Sequence, residues 1–413
     1  MRLQNGLTCL ALVALVLPGC ATTSSSSKAP AVTLIQAATE VPEETLLDVT
    51  IEVFDPGLLD PSVPVTKAEK QGVFPEVRKA EARFIPYRLK QTLQSTGNWG
   101  AVRVMPQGTS SAELTVTGEI LKSTGKDLVV EVQVRDASEE IWFEKRYKQE
   151  ADVQAYSPDQ VKKQDPFHEL YSVIANDLLV ERQKRKQGEL EELRNIADMR
   201  FAADVAPVAF EDYLSRDRKE RYQLEHLPAE DDSMMARITE IRERDFTFID
   251  TLNEYYATFT TSMAEPYDNW RSFSYEEQLA LEKLRRQARM QKIVGALAIF
   301  GAVVAPGGGS TAERVARDVA LIGGMAAIQS GMAKSQEAKI HVEALRELGG
   351  SLDVEVAPLV VEVEGETLRL SGTMEGQFAE WREMLRKIYA EETGLPVDPN
   401  FEAGQAAGTS VDN

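Results

Sequence analysis

Residues 113–147 read ELTVTGEILKSTGKDLVVEVQVRDASEEIWFEKRY, and the alternation within them decides the fold. Leu128, Val130, Val132 and Val134 alternate with Val129, Glu131, Gln133 and Arg135, which is the period of a strand with one buried face. Thr124-Gly125-Lys126-Asp127 and Asp136-Ala137-Ser138-Glu139 have turn composition, so 113–121, 128–135 and 141–147 are expected as an antiparallel meander. Working outward, Val49, Ile51 and Val53 alternate with polar neighbours in a strand that begins near Leu46, and 101–105 makes another. Between these two lies a helical stretch, 76–96, with Val77, Ala80 and Phe84 on one face and Leu89 and Leu93 continuing the stripe. Pro86 is expected to kink or restart that helix and Gly97 to end it. One helix against one face of such a sheet is a two-layer α/β sandwich, and the chain as a whole reads as α+β.

The layout of LKQTLQSTGNWGAVRVMP (89–106) followed by the meander is similar to the amino-terminal domain of TolB and to the related periplasmic part of CsgG-type lipoproteins. In that family too a helix ends at a Gly, a short strand follows, and a VTG strand leads into a meander with an Asp turn. The resemblance covers residues 46–150 and implies a non-enzymatic domain that takes part in envelope assemblies. Nothing like the TolB propeller or the CsgG pore strands follows it.

The amino-terminal run LTCLALVALVLPGCATTSSSS (7–27) follows Arg2 and is too short to cross a bilayer, which needs about 20 apolar residues. Charge, short apolar core and small residues before the cut make a secretion signal over 1–19. Leu17-Pro18-Gly19-Cys20 resembles the lipobox of bacterial lipoproteins, which implies that Cys20 is acylated and becomes the new first residue. By the same resemblance Ala21, in place of Asp, implies an outer-membrane protein facing the periplasm. Acyl chains contribute about 0.8 kcal/mol per buried methylene, so several of them hold permanently. The serine run and the weakly patterned stretch after it read as a flexible tether over 20–45. Cys9 falls in the removed segment, so no disulfide is expected.

Lys and Arg number 46 against 66 Asp and Glu, a formal charge of -20 that becomes -21 once Arg2 is removed with the signal. That balance opposes nucleic acid and favours neutral or basic protein partners. With 43% hydrophobic residues the chain has ample material for folded cores. Its segments read as a sandwich domain at 46–155, a helical domain at 156–352, a β-hairpin and helix at 353–398, and a disordered tail at 399–413.

In the helical domain, Phe167, Leu170, Tyr171, Ile174 and Leu178 start a helix expected to run on through the solvated stretch ERQKRKQGELEELR (181–194). A second helix, 232–263, carries Ile238, Ile241, Phe248, Leu252, Tyr255, Phe259 and Met263 on one broad face. Pro266 is expected to break it, and Ser274-x-x-Glu277 resembles a capping box that starts the next. That helix ends in KIVGALAIFGAVVA (292–305) and, after Pro306-Gly307-Gly308-Gly309, pairs with a helix to about Leu348 as an antiparallel hairpin, 274–348. Gly295, Ala298, Gly301 and Ala302 on one arm and Gly323, Ala327 and Gly331 on the other let the backbones approach, as candidate helix–helix or partner contacts. Three readings of the apolar stretch 293–328 stand: interior packing, docking to a partner or a second copy, and membrane insertion. Tyr255, Tyr256, Tyr267 and Trp270 are candidate partner contacts if exposed. Further on, 353–364 and 367–372 read as a hairpin, and 376–392 as a helix with Phe378, Trp381, Leu385 and Ile388 inward.

The chemistry-bearing motifs are missing. Only His168, His226 and His341 occur, with neither H-E-x-x-H nor a Cys/His metal pattern, so no metal, cofactor or catalytic residue is assigned. Ser25-x-x-Lys28 matches a serine–lysine motif in letters but falls in the tether. The expectation is a lipid-anchored, non-catalytic scaffold or accessory subunit of an envelope assembly or transport system, attached to the membrane through its acyl chains and acting on protein partners. Two alternatives are kept: a membrane-active or oligomer-forming protein using the apolar hairpin, and an envelope hydrolase with carboxylates converging in a cleft.

Overall fold

In the computed structural model the expected strands join in one mixed sheet, ordered β2-β1-β3-β4-β5. These are β1 (Val49–Glu52), β2 (Val102–Met105), β3 (Leu114–Ser123), β4 (Asp127–Asp136) and β5 (Ile141–Glu150). The structure describes residues 32–304 and 359–394, apart from 71, 109–111, 153, 158–163, 364–365 and 371–372. β1 runs parallel to both neighbours, with Val49 opposite Val102 and Leu114. β3, β4 and β5 are the antiparallel meander, with Val132 opposite Gly118 and Lys145. Along β4 the residues alternate buried and half-buried, as the sequence period requires. The chain is α+β: the sheet is accompanied by α1 (Val65–Lys70), α2 (Pro75–Thr96), α3 (His168–Gln183), α4 (Gln187–Val205), α5 (Pro207–Phe210), α6 (Ser233–Val304) and α7 (Met374–Thr393).

Helix α2 is the wall shared by two cores. Ala82, Ile85, Leu89 and Leu93 pack with the sheet and with Tyr171, Ile174 and Leu178 of α3. Val77, Ala80 and Phe84 face a second core built from α4, α6 and α7. Pro86 does not restart α2, which runs through it as one helix. A proline lacks the N–H that would bond the carbonyl four residues back, here Ala82, and the backbone N–H of Phe54 supplies that bond at 2.9 Å. The helix ends, as expected, at Gly97 with φ 66°.

The most consequential correction concerns α6. Pro266 does not break it, and it runs for 72 residues, about 108 Å at 1.5 Å per residue. The turns on both sides of Pro266 are fixed by packing, since Phe259, Met263, Tyr267 and Trp270 are all buried and Tyr267 stacks on Trp270 at 6.0 Å. Ser274 therefore caps nothing: its hydroxyl accepts the backbone N–H of Gly125 at 3.2 Å. The first arm of the expected hairpin 274–348 is thus the second half of a longer helix, and its second arm lies outside the described residues. α6 also closes the β2 edge of the sheet. Asn253 accepts the N–H of Val104 at 2.9 Å and donates to its carbonyl at 3.0 Å, in place of a sixth strand.

Two smaller differences matter below. The expected single helix through 181–194 turns a corner at Lys184–Lys186, between α3 and α4. A short hairpin, β6 (Leu214–Arg216) with β7 (Tyr222–Leu224), has no counterpart in the sequence reading. The strands β8 (Leu359–Val363) and β9 (Glu366–Leu370) pair as expected, and α7 buries Phe378, Trp381 and Leu385.

Candidate functional site

Three charged clusters lie in the interior where helices and sheet meet. In the first, Glu81 of α2 is fully buried and accepts hydrogen bonds from Ser123 and, at 2.6 Å, from the Tyr267 hydroxyl. Burial raises its pKa above the usual carboxylate value against the pull of Arg78, whose Nε lies 4.0 Å away. Beside it Arg271 of α6 stacks 4.2 Å from the Tyr267 ring, donates to Asp165 at 3.0 Å and pairs with Asp268. Burial alone would push Asp165 up. Arg271, Arg88 and the Phe167 N–H together hold it below the usual carboxylate range.

The second cluster fastens α7 to α4 and α6. Arg382 donates to Asp245 at 2.9 Å and pairs with Asp204, while Arg386 bonds Asp204 at 2.7 Å. The Trp381 indole also donates to Asp245, at 3.1 Å.

The third sits where β1 and β3 begin. Glu113 accepts the Asp48 N–H at 2.8 Å, and its carboxyl is pushed up to about 7 by burial and by the Asp48 charge, with Arg242 opposing. The unfolded chain releases this proton near the ordinary value of 4.5. Glu113 therefore favours the folded state fully below about pH 4.5, and the contribution is lost as pH rises through 7. Glu113→Gln keeps an acceptor for the Asp48 N–H without the charge. Between about pH 5 and about pH 8 its urea midpoint should fall less than the parent's, by the equivalent of about 1–2 kcal/mol. Parallel declines would assign the pH dependence to other groups.

One cleft opens where the α3–α4 corner meets the β4–β5 turn and the β6–β7 hairpin. Its volume is about 500 Å³, and Lys184, Arg185, Arg221, Glu140, Glu189 and Glu192 are among its lining. Glu140 joins the two basic stretches, at 2.7 Å from Arg221 and 3.8 Å from Arg185. Among the described residues no group of three or more His, Cys, Asp or Glu is placed to hold a metal ion.

No family model, no curated protein and no solved structure matches this chain. The likeness to the TolB amino-terminal domain accordingly rests on the sequence pattern alone.

Of the sequence-stated contacts, Cys20, Gly323, Ala327 and Gly331 lie outside the described residues. Gly295, Ala298, Gly301 and Ala302 fall in the last turns of α6, and no contact between the two arms is described. Tyr256, Tyr267 and Trp270 are buried in the core and Tyr255 is half-buried against it, so none of the first three can meet a partner. Their spacing was that of a core stripe. The interior acids were not singled out from sequence, because Glu81 and Glu113 stand among 66 acidic residues with nothing local to mark them.

The later part of the stretch expected as a tether, 20–45, is held against the body. Residues 33–46 lie on the body: Asn176 of α3 accepts the Ile35 N–H and donates to the Thr33 carbonyl, both at 2.9 Å. Farther along, Arg182 bonds the Thr45 carbonyl at 2.7 Å and Arg194 that of Leu46 at 2.6 Å. These are backbone-directed bonds, which leave no side-chain pattern in the strap itself.

Proposed function

We propose that the protein is a lipid-anchored, non-catalytic scaffold or accessory subunit of an envelope assembly or transport system, held at the outer membrane through Cys20 and facing the periplasm. In this reading a small sandwich carries a helical body whose hairpin meets protein partners. The observation that carries it is the form of α6. Its first part, from Ile238 to Tyr275, is packed into the body, and it then continues as one helix over 276–304, about 43 Å more. A helix rooted in this way holds its apolar end, IVGALAIFGAVV (293–304), at a fixed position for a partner. The non-catalytic part is supported by where the most deeply buried of the raised acids lie: Glu81, Glu113 and Asp245 are sealed in the interior, not in the cleft.

The oligomer-forming alternative shares this observation, since a second copy is one possible partner. No described helix is long and apolar enough to cross a membrane. A photo-reactive residue placed at Leu297 or Phe300 in native envelopes should give discrete protein adducts whose mass identifies partner or self. Adducts to lipid alone would reject the scaffold reading in favour of the membrane-active one. The address has its own test: Cys20→Ala should abolish palmitate labelling, and unchanged labelling would remove the anchor.

A further inference from the structure

The place where the amino-terminal strap meets the body is close to two stretches rich in basic residues, with the exposed Glu189, Glu191 and Glu192 following on α4. Thr33 and Ile35 are held by Asn176, in the middle of α3. From Asn176 to the end of that helix at Gln183 is about 10 Å along the axis. There the chain turns through Lys184-Arg185-Lys186, and the fold brings the β6–β7 turn, Arg216-Asp217-Arg218-Lys219-Glu220-Arg221, beside it through Glu140. The turn is firmly built. Asp217 accepts the N–H groups of Lys219 and Arg221 at 2.7 and 3.0 Å and pairs with the Arg221 guanidinium at 2.8 Å.

Lys186, Arg218 and Lys219 are exposed and form no ion pair among the described residues. None of them lines the cleft, where carboxylates balance the cations, so their attraction is to an extended surface and not to one enclosed anion. We infer that the α3–α4 corner and the β6–β7 turn form the face that the protein lays against an anionic phospholipid surface. The inference deepens the anchored reading given above. Twelve residues, 21–32, separate Cys20 from the strap, and whatever their conformation they reach no more than about 45 Å. Elsewhere a chain of charge -20 is repelled by such a surface, and within about 8 Å, the screening length at physiological salt, only the nearest charges are felt. Basic residues at the bilayer attract anionic lipid, and the strap holds these three near the point where the chain arrives.

The test does not depend on acylation in the cell. Cys20 is the only cysteine in residues 20–413, so its thiol can be coupled to a maleimide lipid in vesicles of neutral phosphatidylcholine, with or without anionic phosphatidylglycerol. Amine-reactive labelling read by mass spectrometry should show Lys186 and Lys219 protected at least threefold by the anionic lipid, with Lys79 on α2 unchanged. Lys184 at the same corner should be protected with them in the parent, and in Lys186→Glu/Arg218→Glu/Lys219→Glu it should label equally in neutral and anionic vesicles. Equal labelling in both vesicles overturns the inference. Equal labelling in vesicles with protection in native envelopes also overturns it, and assigns the face to an acidic protein. Neither result bears on palmitate labelling of Cys20, which tests the anchor separately.

Discussion

Gly125→Ala should destabilise the protein by about 3 kcal/mol or more, seen as a lowered urea midpoint with little change in slope. The β3–β4 turn touches α6 backbone to backbone. A Cβ on Gly125 would stand 1.7 Å from the Arg271 carbonyl oxygen and 2.5 Å from the Tyr275 nitrogen. Neither atom can yield, because Arg271 is buried in its ion pairs and Tyr275 in the sandwich core. The same shift would strain the bond from the Gly125 N–H to the Ser274 hydroxyl and that from the Tyr156 hydroxyl to the Gly125 carbonyl, at 3.2 and 2.5 Å. Gly188 serves as the control. It lies in the first turn of α4 with nothing within 4 Å of its added Cβ, so Gly188→Ala should stabilise by about 0.5–1 kcal/mol. If Gly125→Ala were as harmless as Gly188→Ala, α6 would not rest on this turn.

Asp165→Ala should cost about 3–5 kcal/mol, because it leaves the Arg271 guanidinium buried with Asp268 as its one remaining carboxylate partner. Removing charge from both sides, as Asp165→Leu with Arg271→Met, should recover most of the loss, since two apolar side chains need no partners there. Urea unfolding of Asp165→Leu, of Arg271→Met and of the pair forms a double-mutant cycle. A sum of single effects equal to the double would show that the two charges act independently. The pH dependence has a definite sign: a carboxyl held low in the folded state stabilises it above the unfolded value near 3.8, and this is lost as pH falls through the folded value. The parent should thus show an acid transition that the charge-free pair lacks.

The sheet was legible because its signal is local. The alternation in 128–135 and the turn residues on either side specify register and connection without reference to the rest of the chain. Pro86 and Pro266 were misread for the opposite reason. Local rules interrupt a helix at proline, whereas here the Phe54 N–H and the partners of Tyr267 and Trp270, Phe84 and Phe74, each remote in sequence from the proline concerned, carry the helices through. The buried charges were illegible in the same way: Glu81 draws its partners from positions 123 and 267. The strap at 33–46 is held by the side chains of Asn176, Arg182 and Arg194, so nothing in its own letters distinguishes it from a linker.

The single course of α6 bears on how the molecule is made. Its first half supplies one side of the core that α2 completes, and Trp381 and Arg382, more than 130 positions later than Asp245, finish the same wall. A chain emerging in order from a ribosome or a translocation pore therefore cannot close this second core until almost all of it has arrived, although the core between the sheet, α2 and α3 is nearly all present by Leu193. Nascent fragments that end before Ser233 should be degraded or bound by chaperones, and accumulation of a protease-resistant early product would show that the front half can stand by itself.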